Sequence, residues 1–158
     1  MAADQAQATD LQPSFYFELD INGVAADCAF QEVSGLEKEM DIEEVTSGGE
    51  NRFRFRLPKG LKSSNLVLKR GVTQSGSRLV QWCHETLDGG FGEAIRPKDI
   101  RLTLLNPDGL PAMTWTFKRA WPVKWSFSEL KSQENALLIE TIELAYQTGT
   151  PTGRGVSA

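Results

Sequence analysis

Two runs of charged side chains form the most regular pattern in the sequence. Glu37, Glu39, Asp41 and Glu43 alternate with Leu36, Lys38, Met40 and Ile42, while Arg52, Arg54 and Arg56 alternate with Phe53, Phe55 and Leu57. Carboxylates are the usual groups of general acid–base catalysis, which needs an acid and a base converging on one reacting atom. Here the carboxylates are spaced evenly along a strand and matched by arginines, so a salt-bridged, water-facing surface is the better account.

The remaining chemistry-bearing residues point the same way. His84 is the single histidine and sits beside Cys83. Neighbouring side chains on a helix point roughly 100° apart, so the two cannot grip one metal ion. A Ser-His-Asp triad needs that histidine as its base, and no nucleophile elbow accompanies it. The pairs Gly48-Gly49 and Gly89-Gly90 lack the lysine and hydroxyl of a phosphate-binding loop and read as turns. Trp82, Trp115, Trp121 and Trp125 fit core packing better than a ligand groove. Cys28 and Cys83 lie among apolar neighbours and read as buried free thiols of a reducing compartment. No catalytic residue, cofactor site or metal site emerges.

The charged runs need elements to position them. Folded into an antiparallel hairpin about Ser47-Gly48, they place Glu43 opposite Arg52, Asp41 opposite Arg54 and Glu39 opposite Arg56. The same register sets Ile42 against Phe53 and Met40 against Phe55, giving one charged face and one apolar face. Facing pairs contribute about 0.2–1 kcal/mol each, and a one-residue slip would turn the apolar strip to water. Before the hairpin, Phe15, Phe17, Leu19 and Ile21 alternate with polar residues as a strand. Asn22-Gly23 then makes a tight turn into a second strand through Cys28 and Phe30, ending near Ser34-Gly35.

After it, Leu57-Pro58-Lys59-Gly60 reads as a loop and Asn65–Arg70 as a short strand. One helix is expected from Ser77, its cap, to Leu87, with Leu79, Val80, Cys83 and Leu87 at helical spacing and Gly89-Gly90 as the stop. Ile100, Leu102 and Leu104 mark a strand, Asn106-Pro107-Asp108-Gly109 a turn, and Met113, Trp115 and Phe117 the inner side of the returning strand. A last strand spans about Ala136 to Tyr146. The fold class is therefore mainly β, a barrel or sandwich of two packed antiparallel sheets with one short helix. Residues 1–13 read as a flexible arm, 14–147 as the folded domain and 148–158 as a flexible tail.

With 158 residues, the chain has room for one domain with a real core. Its net charge of -4 argues against nucleic-acid recognition, which calls for a basic excess. No window reaches the roughly 18 apolar residues of a membrane-spanning helix, so no membrane insertion is expected. The N-terminal stretch has no basic region followed by an apolar one, which predicts folding in the cytoplasm.

Several segments together resemble the inner-tube proteins of contractile phage tails and extracellular contractile injection systems. They are Phe15-Tyr16-Phe17, FQEVSGLEKEM from Phe30 to Met40, NLVLKRG from Asn65 to Gly71, LLNPDG from Leu104 to Gly109, TFKRAWPVKW from Thr116 to Trp125 and ENALLIETIELAY from Glu134 to Tyr146. Their order and spacing agree from about residue 14 to 147. A more distant likeness to type VI secretion tube subunits is expected on fold grounds alone.

The resemblance implies a structural subunit and not an enzyme: hexameric rings stacked into a tube, each copy lending strands to one closed wall around a lumen. It implies a sheath, a baseplate and a tape-measure or cargo protein as partners, with DNA merely passing through if the particle is a phage. A strand pair with one charged and one apolar face suits a water-filled channel wall backed by a second sheet. Glu37, Glu39, Asp41, Glu43, Arg52, Arg54 and Arg56 are thus expected to face the lumen, with Met40, Ile42, Phe53 and Phe55 packed beneath the outer sheet and helix. The loops near Thr46–Glu50 and Pro58–Ser63 are expected at ring-to-ring contacts. The competing expectation is a monomeric β-barrel that binds a small molecule.

Overall fold

A computed structural model describes residues 15–46, 48–49, 54–71, 76–128 and 138–151. Strand β1 (Tyr16–Ile21) turns through Asn22-Gly23 into β2 (Val24–Phe30), with φ of 50° and 79° at the two turn residues. Both angles lie in the left-handed region that a two-residue hairpin demands, which is why Asn-Gly stands there. Gln31 separates β2 from β3 (Glu32–Ser34). The long hairpin β4 (Lys38–Thr46) and β5 (Arg54–Ser63) follows, and then β6 (Leu66–Gly71).

Helix α1 (Arg78–Leu87) begins at Ser77, whose Oγ accepts the Val80 N–H at 3.1 Å and satisfies one of the helix's orphan donors. Strand β7 (Lys98–Leu105), the long β8 (Pro111–Phe127), β9 (Ile139–Ala145) and β10 (Thr148–Pro151) complete the fold. Between β7 and β8, the Gly109 N–H and the Asn106 carbonyl oxygen close the expected turn at 2.9 Å.

Among the described residues, eight strands form one antiparallel sheet in the order β2-β1-β7-β8-β9-β6-β3, with β10 added to β8. The two ends of that order, β2 and β3, are consecutive in the chain. The Gln31 N–H between them donates to the Lys69 carbonyl oxygen on β6 at 2.9 Å. The sheet therefore closes on itself as a barrel. Its interior is filled with side chains: Leu19, Phe30, Leu68, Leu102 and Ile142 from the strands, and Leu79, Trp82 and Cys83 from α1. Each such side chain removed from water is worth about 1.5–3 kcal/mol. Among the described residues, these side chains occupy the place that a ligand cavity takes in a small-molecule-binding barrel.

Strand β8 turns the corner of the barrel. It pairs with β7 as far as Ala120 and with β9 from Trp121 onward. At the changeover Arg119 adopts φ 53°, and its N–H donates to Asp99 Oδ1 at 3.0 Å. This N–H is the main cause that lowers the Asp99 carboxyl below its usual range, with Lys118 adding to it.

The ending differs from its expected form. Residues 148–151, expected in a loose tail, instead form strand β10, with Thr148 opposite Lys118 and Pro151 opposite Trp115. Thr148 and Thr150 are compatible with a strand, and β8 offers them an unpaired edge there. The flexible-arm expectation for 1–13, and that for 152–158, falls outside the described residues.

Candidate functional site: the charged hairpin and the wall it extends

Among the described residues, the hairpin β4–β5 is a two-stranded sheet of its own, reached from the barrel through its root. There the pairing breaks and resumes in step. Glu32 pairs with Lys69 and Ser34 with Val67 on β3–β6; four residues after Ser34 and four before Val67, Lys38 pairs with Ser63. The root is Gly35, at φ 86°, where an added Cβ would lie 1.9 Å from the Asn65 carbonyl oxygen. Only glycine permits that approach.

The structure corrects the expected register. Thr46 pairs with Arg54, leaving residues 47–53 between the strands in place of a tight turn at Ser47-Gly48. Glu43 faces Leu57, Asp41 faces Gly60 and Glu39 faces Lys62; Ile42 faces Pro58 and Met40 faces Leu61. At Glu43 and Ile42 the displacement is five residues, which reverses the partner's parity; past the bulge, at Asp41, Met40 and Glu39, it is six, which keeps the parity. The expected loop Leu57-Pro58-Lys59-Gly60 lies within β5. There a bulge opposite Asp41-Ile42 absorbs Lys59, and an edge strand has a free side on which a missing proline N–H breaks no ladder bond.

The hairpin faces are therefore mixed. Alternation puts Glu39, Asp41 and Glu43 on one side of β4, and Lys38, Met40, Ile42 and Glu44 on the other. The observed ion pairs stay within a face: Lys62 Nζ to Asp41 at 3.0 Å, and Arg54 to Glu44 at 3.3 Å. The Asp41 carboxylate, by hydrogen bond and charge, raises the Lys62 ammonium above its ordinary value. Arg54 and Arg56 thus share their face with Glu44 and do not oppose the acidic row. Arg52 and Phe53 lie outside the described residues, and Glu37 is exposed at the root.

Nor do the expected core residues reach the core. Met40, Ile42 and Phe55 are 54%, 49% and 57% exposed, and Leu61 is 72% exposed. Lys38 lines a hollow with Leu36, Trp115, Phe117 and Tyr146, so the face bearing Met40, Ile42 and Leu61 continues the core side of the barrel into open solvent.

The barrel's other surface over β3, β6, β9 and β8 is polar, and sequence reasoning missed it. Inward residues Leu66, Leu68, Ile142 and Leu144 are buried. Between them, outward residues form two rungs across four strands. One is Lys124, Glu143, Val67 and Ser34; the other is Ser126, Thr141, Lys69 and Glu32. Lys69 Nζ lies 3.1 Å from Glu32, and Asn65 donates to Glu143 at 2.8 Å. The period-2 alternation in NLVLKRG and IETIELA was the signal available for it.

Elsewhere, Trp82 is buried and Trp115 and Trp125 pack against the core. His84, exposed on α1, meets the Asp88 carboxylate through Nδ1 and the edge of Trp125 at 4.6 Å between centroids. Cys83 is buried in the core. Among the described residues, no group of three His, Cys, Asp or Glu side chains is placed to hold a metal.

Residues 13–150 match the family of the T4-like virus tail tube protein gp19. The chain belongs to that family. As a member it is a tail tube subunit of a contractile phage tail or extracellular contractile injection system, a structural protein and not an enzyme. A chain in the cryo-EM structure of the anti-feeding prophage baseplate is similar at 28% identity and TM-score 0.74, over 99% of this tube protein and all of that chain. A chain of the PVC sheath/tube terminator in the extended state gives 24% and 0.72, covering 90% of this chain and 96% of that one. Hcp1 from Flavobacterium johnsoniae shares the fold at 16% and 0.54, over 87% and 95%. A search of curated proteins returned no match.

Proposed function

We propose that copies of this tube protein close into six-fold rings that stack into a hollow conduit, its wall made of β3, β6, β9 and the second half of β8 together with the hairpin. The observation that carries this is the hairpin itself. Strand β4 leaves one edge unpaired among the described residues, and Met40, Ile42 and Leu61 stand in water on one face. A long, exposed, partly apolar strand edge is an aggregation hazard unless pairing with another chain is its purpose. A sheet-based conduit resolves both features at once, since closure removes the edges and the next copy covers the apolar face. A relative at 28% identity stands in a baseplate symmetrised six-fold, which supports the same symmetry here.

On that arrangement the channel surface is the outward face of the wall: the rungs containing Glu32, Lys69, Lys124 and Glu143, extended by Glu39, Asp41 and Glu43 with Lys62. Charged and hydroxylated side chains held in mutual contact give a passing polypeptide little apolar surface to adhere to. A sheath on the outside and a baseplate at one end follow by likeness to the PVC and anti-feeding prophage assemblies. Assembly in the cytoplasm precedes incorporation into the particle.

The test is negative-stain microscopy with light scattering on the purified chain, alone and mixed with baseplate proteins from the same particle. Rings and filaments with a stain-filled centre are expected. A monodisperse monomer at high concentration under both conditions overturns the proposal.

A further inference from the structure

We infer that Met40 is an oxidative modification site that decides whether a free subunit can enter a ring. The inference goes beyond the ring proposal but rests on it, because the site acts through the apolar hairpin face that a neighbouring copy covers.

Of the chain's three methionines, Met40 and Met113 lie among the described residues, in different surroundings. Met113 on β8 is half-buried and lines the hollow at the hairpin root with Trp115, Phe117 and Tyr146. Met40 stands on β4 opposite Leu61, and both side chains are exposed. Together with Ile42 they make an apolar strip in open water. Susceptibility of a thioether to oxidation follows its exposure, so the free subunit offers Met40 and withholds Met113.

Methionine suits such a strip, because its unbranched, polarizable side chain adapts to an incoming surface. It also brings a liability that leucine or isoleucine lacks. With a peroxide as oxidant, the Met40 sulfur attacks one peroxide oxygen. An S–O bond forms, the O–O bond breaks, and sulfur gives up two electrons. The second oxygen leaves as water with both peroxide protons. The methionine itself loses no proton, so the step needs no neighbouring base.

The product reverses the character of the side chain. A sulfoxide is polar and its oxygen is a hydrogen-bond acceptor. In the free subunit water satisfies that oxygen, and folding is untouched because Met40 lies outside the core. Beneath a neighbouring copy the oxygen would be taken from water against apolar surface. Lys38, two residues back on the same side of β4, lines the hollow at the root, and Pro58, opposite Ile42, has no N–H to donate. An acceptor left without a donor disfavours burial, and a ring of identical copies repeats the fault at every contact. The covering that excludes water from a finished ring also excludes peroxide. Met40 is thus modifiable before assembly and protected after it.

Peroxide treatment of the purified chain tests the site. Dilute free subunits and preformed rings receive the same dose of hydrogen peroxide, and peptide mass spectrometry follows Met40 and Met113. Sulfoxide is expected to accumulate faster at Met40 than at Met113 in free subunits, and to be suppressed at Met40 in rings. Subunits oxidised to half occupancy are then allowed to assemble. Their rings should contain about tenfold less Met40 sulfoxide than the remaining monomer, the factor that one unsatisfied buried acceptor implies. Methionine sulfoxide reductases of both epimer specificities should restore assembly. Met40→Leu is expected to assemble before and after peroxide, although Met113 and Cys83 remain. Met40→Gln, with a permanent polar group, should assemble poorly while unfolding at the natural protein's temperature. Equal sulfoxide content in rings and monomer, or a Met40→Leu variant whose assembly peroxide still blocks, overturns the site and leaves ring formation standing. Absence of rings from the unoxidised protein overturns the ring itself and the site with it.

Discussion

Arg70 Nε donates to Glu140 Oε2 at 2.9 Å, and the two side chains are only 3% and 5% exposed. The other carboxylate oxygen accepts the Trp125 indole N–H at 2.7 Å, and Arg70 reaches on to Ser77 Oγ, the helix cap, at 3.0 Å. The guanidinium also lies 5.0 Å from the Phe30 ring centroid. One buried ion pair thus ties β6, β9, β8 and the start of α1 together. Removing one partner strands the other charge in the core, which costs about 3–5 kcal/mol. Glu140→Ala is therefore expected to lower the melting temperature of the unassembled subunit by about 10–15 °C. The double variant Arg70→Met/Glu140→Leu should recover most of that loss, since a well-packed apolar replacement avoids the unpaired charge. Calorimetry on the two variants checks both.

The barrel corner gives a second prediction. Arg119 holds a left-handed backbone that its Cβ disfavours by roughly 1–2 kcal/mol. Arg119→Asn should be tolerated, and Arg119→Val should destabilise by about that amount, because a β-branched residue resists this conformation further. The Asp99 carboxylate that caps the corner has a lowered pKa, chiefly through the Arg119 N–H. Its stabilisation is thus complete above the unfolded carboxylate value, and it disappears as pH falls through the lower folded value. Denaturant unfolding between about pH 5 and pH 2 should show a steeper loss for the natural protein than for Asp99→Asn.

What the sequence disclosed, and what it concealed, follows from how local each signal is. Asn22-Gly23, the Ser77 cap and the Asn106–Gly109 turn were readable because each depends on a few adjacent residues with restricted backbone chemistry. The hairpin register was not. It depends on where a long loop closes, and alternating sequences on both strands tolerate several alignments until a neighbour selects one. The alternation of Met113, Trp115 and Phe117 marks only the first half of β8, because Pro122 and the corner at Arg119 interrupt the pattern that marks a strand. Met40, Ile42 and Phe55 are exposed because a lone chain leaves that face open. Their apolar character bears on the assembled state.

That distinction can be measured. Leu61→Ser and Ile42→Ser remove apolar side chains that touch little in the monomer, so the unfolding free energy should change by less than about 0.5 kcal/mol. Ring and filament formation should fall sharply in both, as seen by light scattering. Arg54→Glu breaks an exposed pair with Glu44, worth about 0–1 kcal/mol in the monomer. Its effect should likewise appear in assembly and not in folding.

Gly35 offers the most direct handle on the hairpin's placement. Its φ of 86° lies where alanine is strained, and the 1.9 Å approach of a Cβ to the Asn65 carbonyl oxygen can be relieved only by moving backbone. The strands that must separate are β3 and β6, where the barrel ladder passes into the hairpin. Gly35→Ala should therefore tilt or detach the hairpin while the barrel, whose core lies on the far side of the root, stays folded. The expected result is a subunit that unfolds cooperatively at a lowered temperature and forms no rings. Hydrogen exchange should accelerate over Lys38–Ser63 but stay near its natural rate over Ile100–Leu105. Equal acceleration in both segments would show that the root glycine sustains the whole barrel, not just the orientation of its arm.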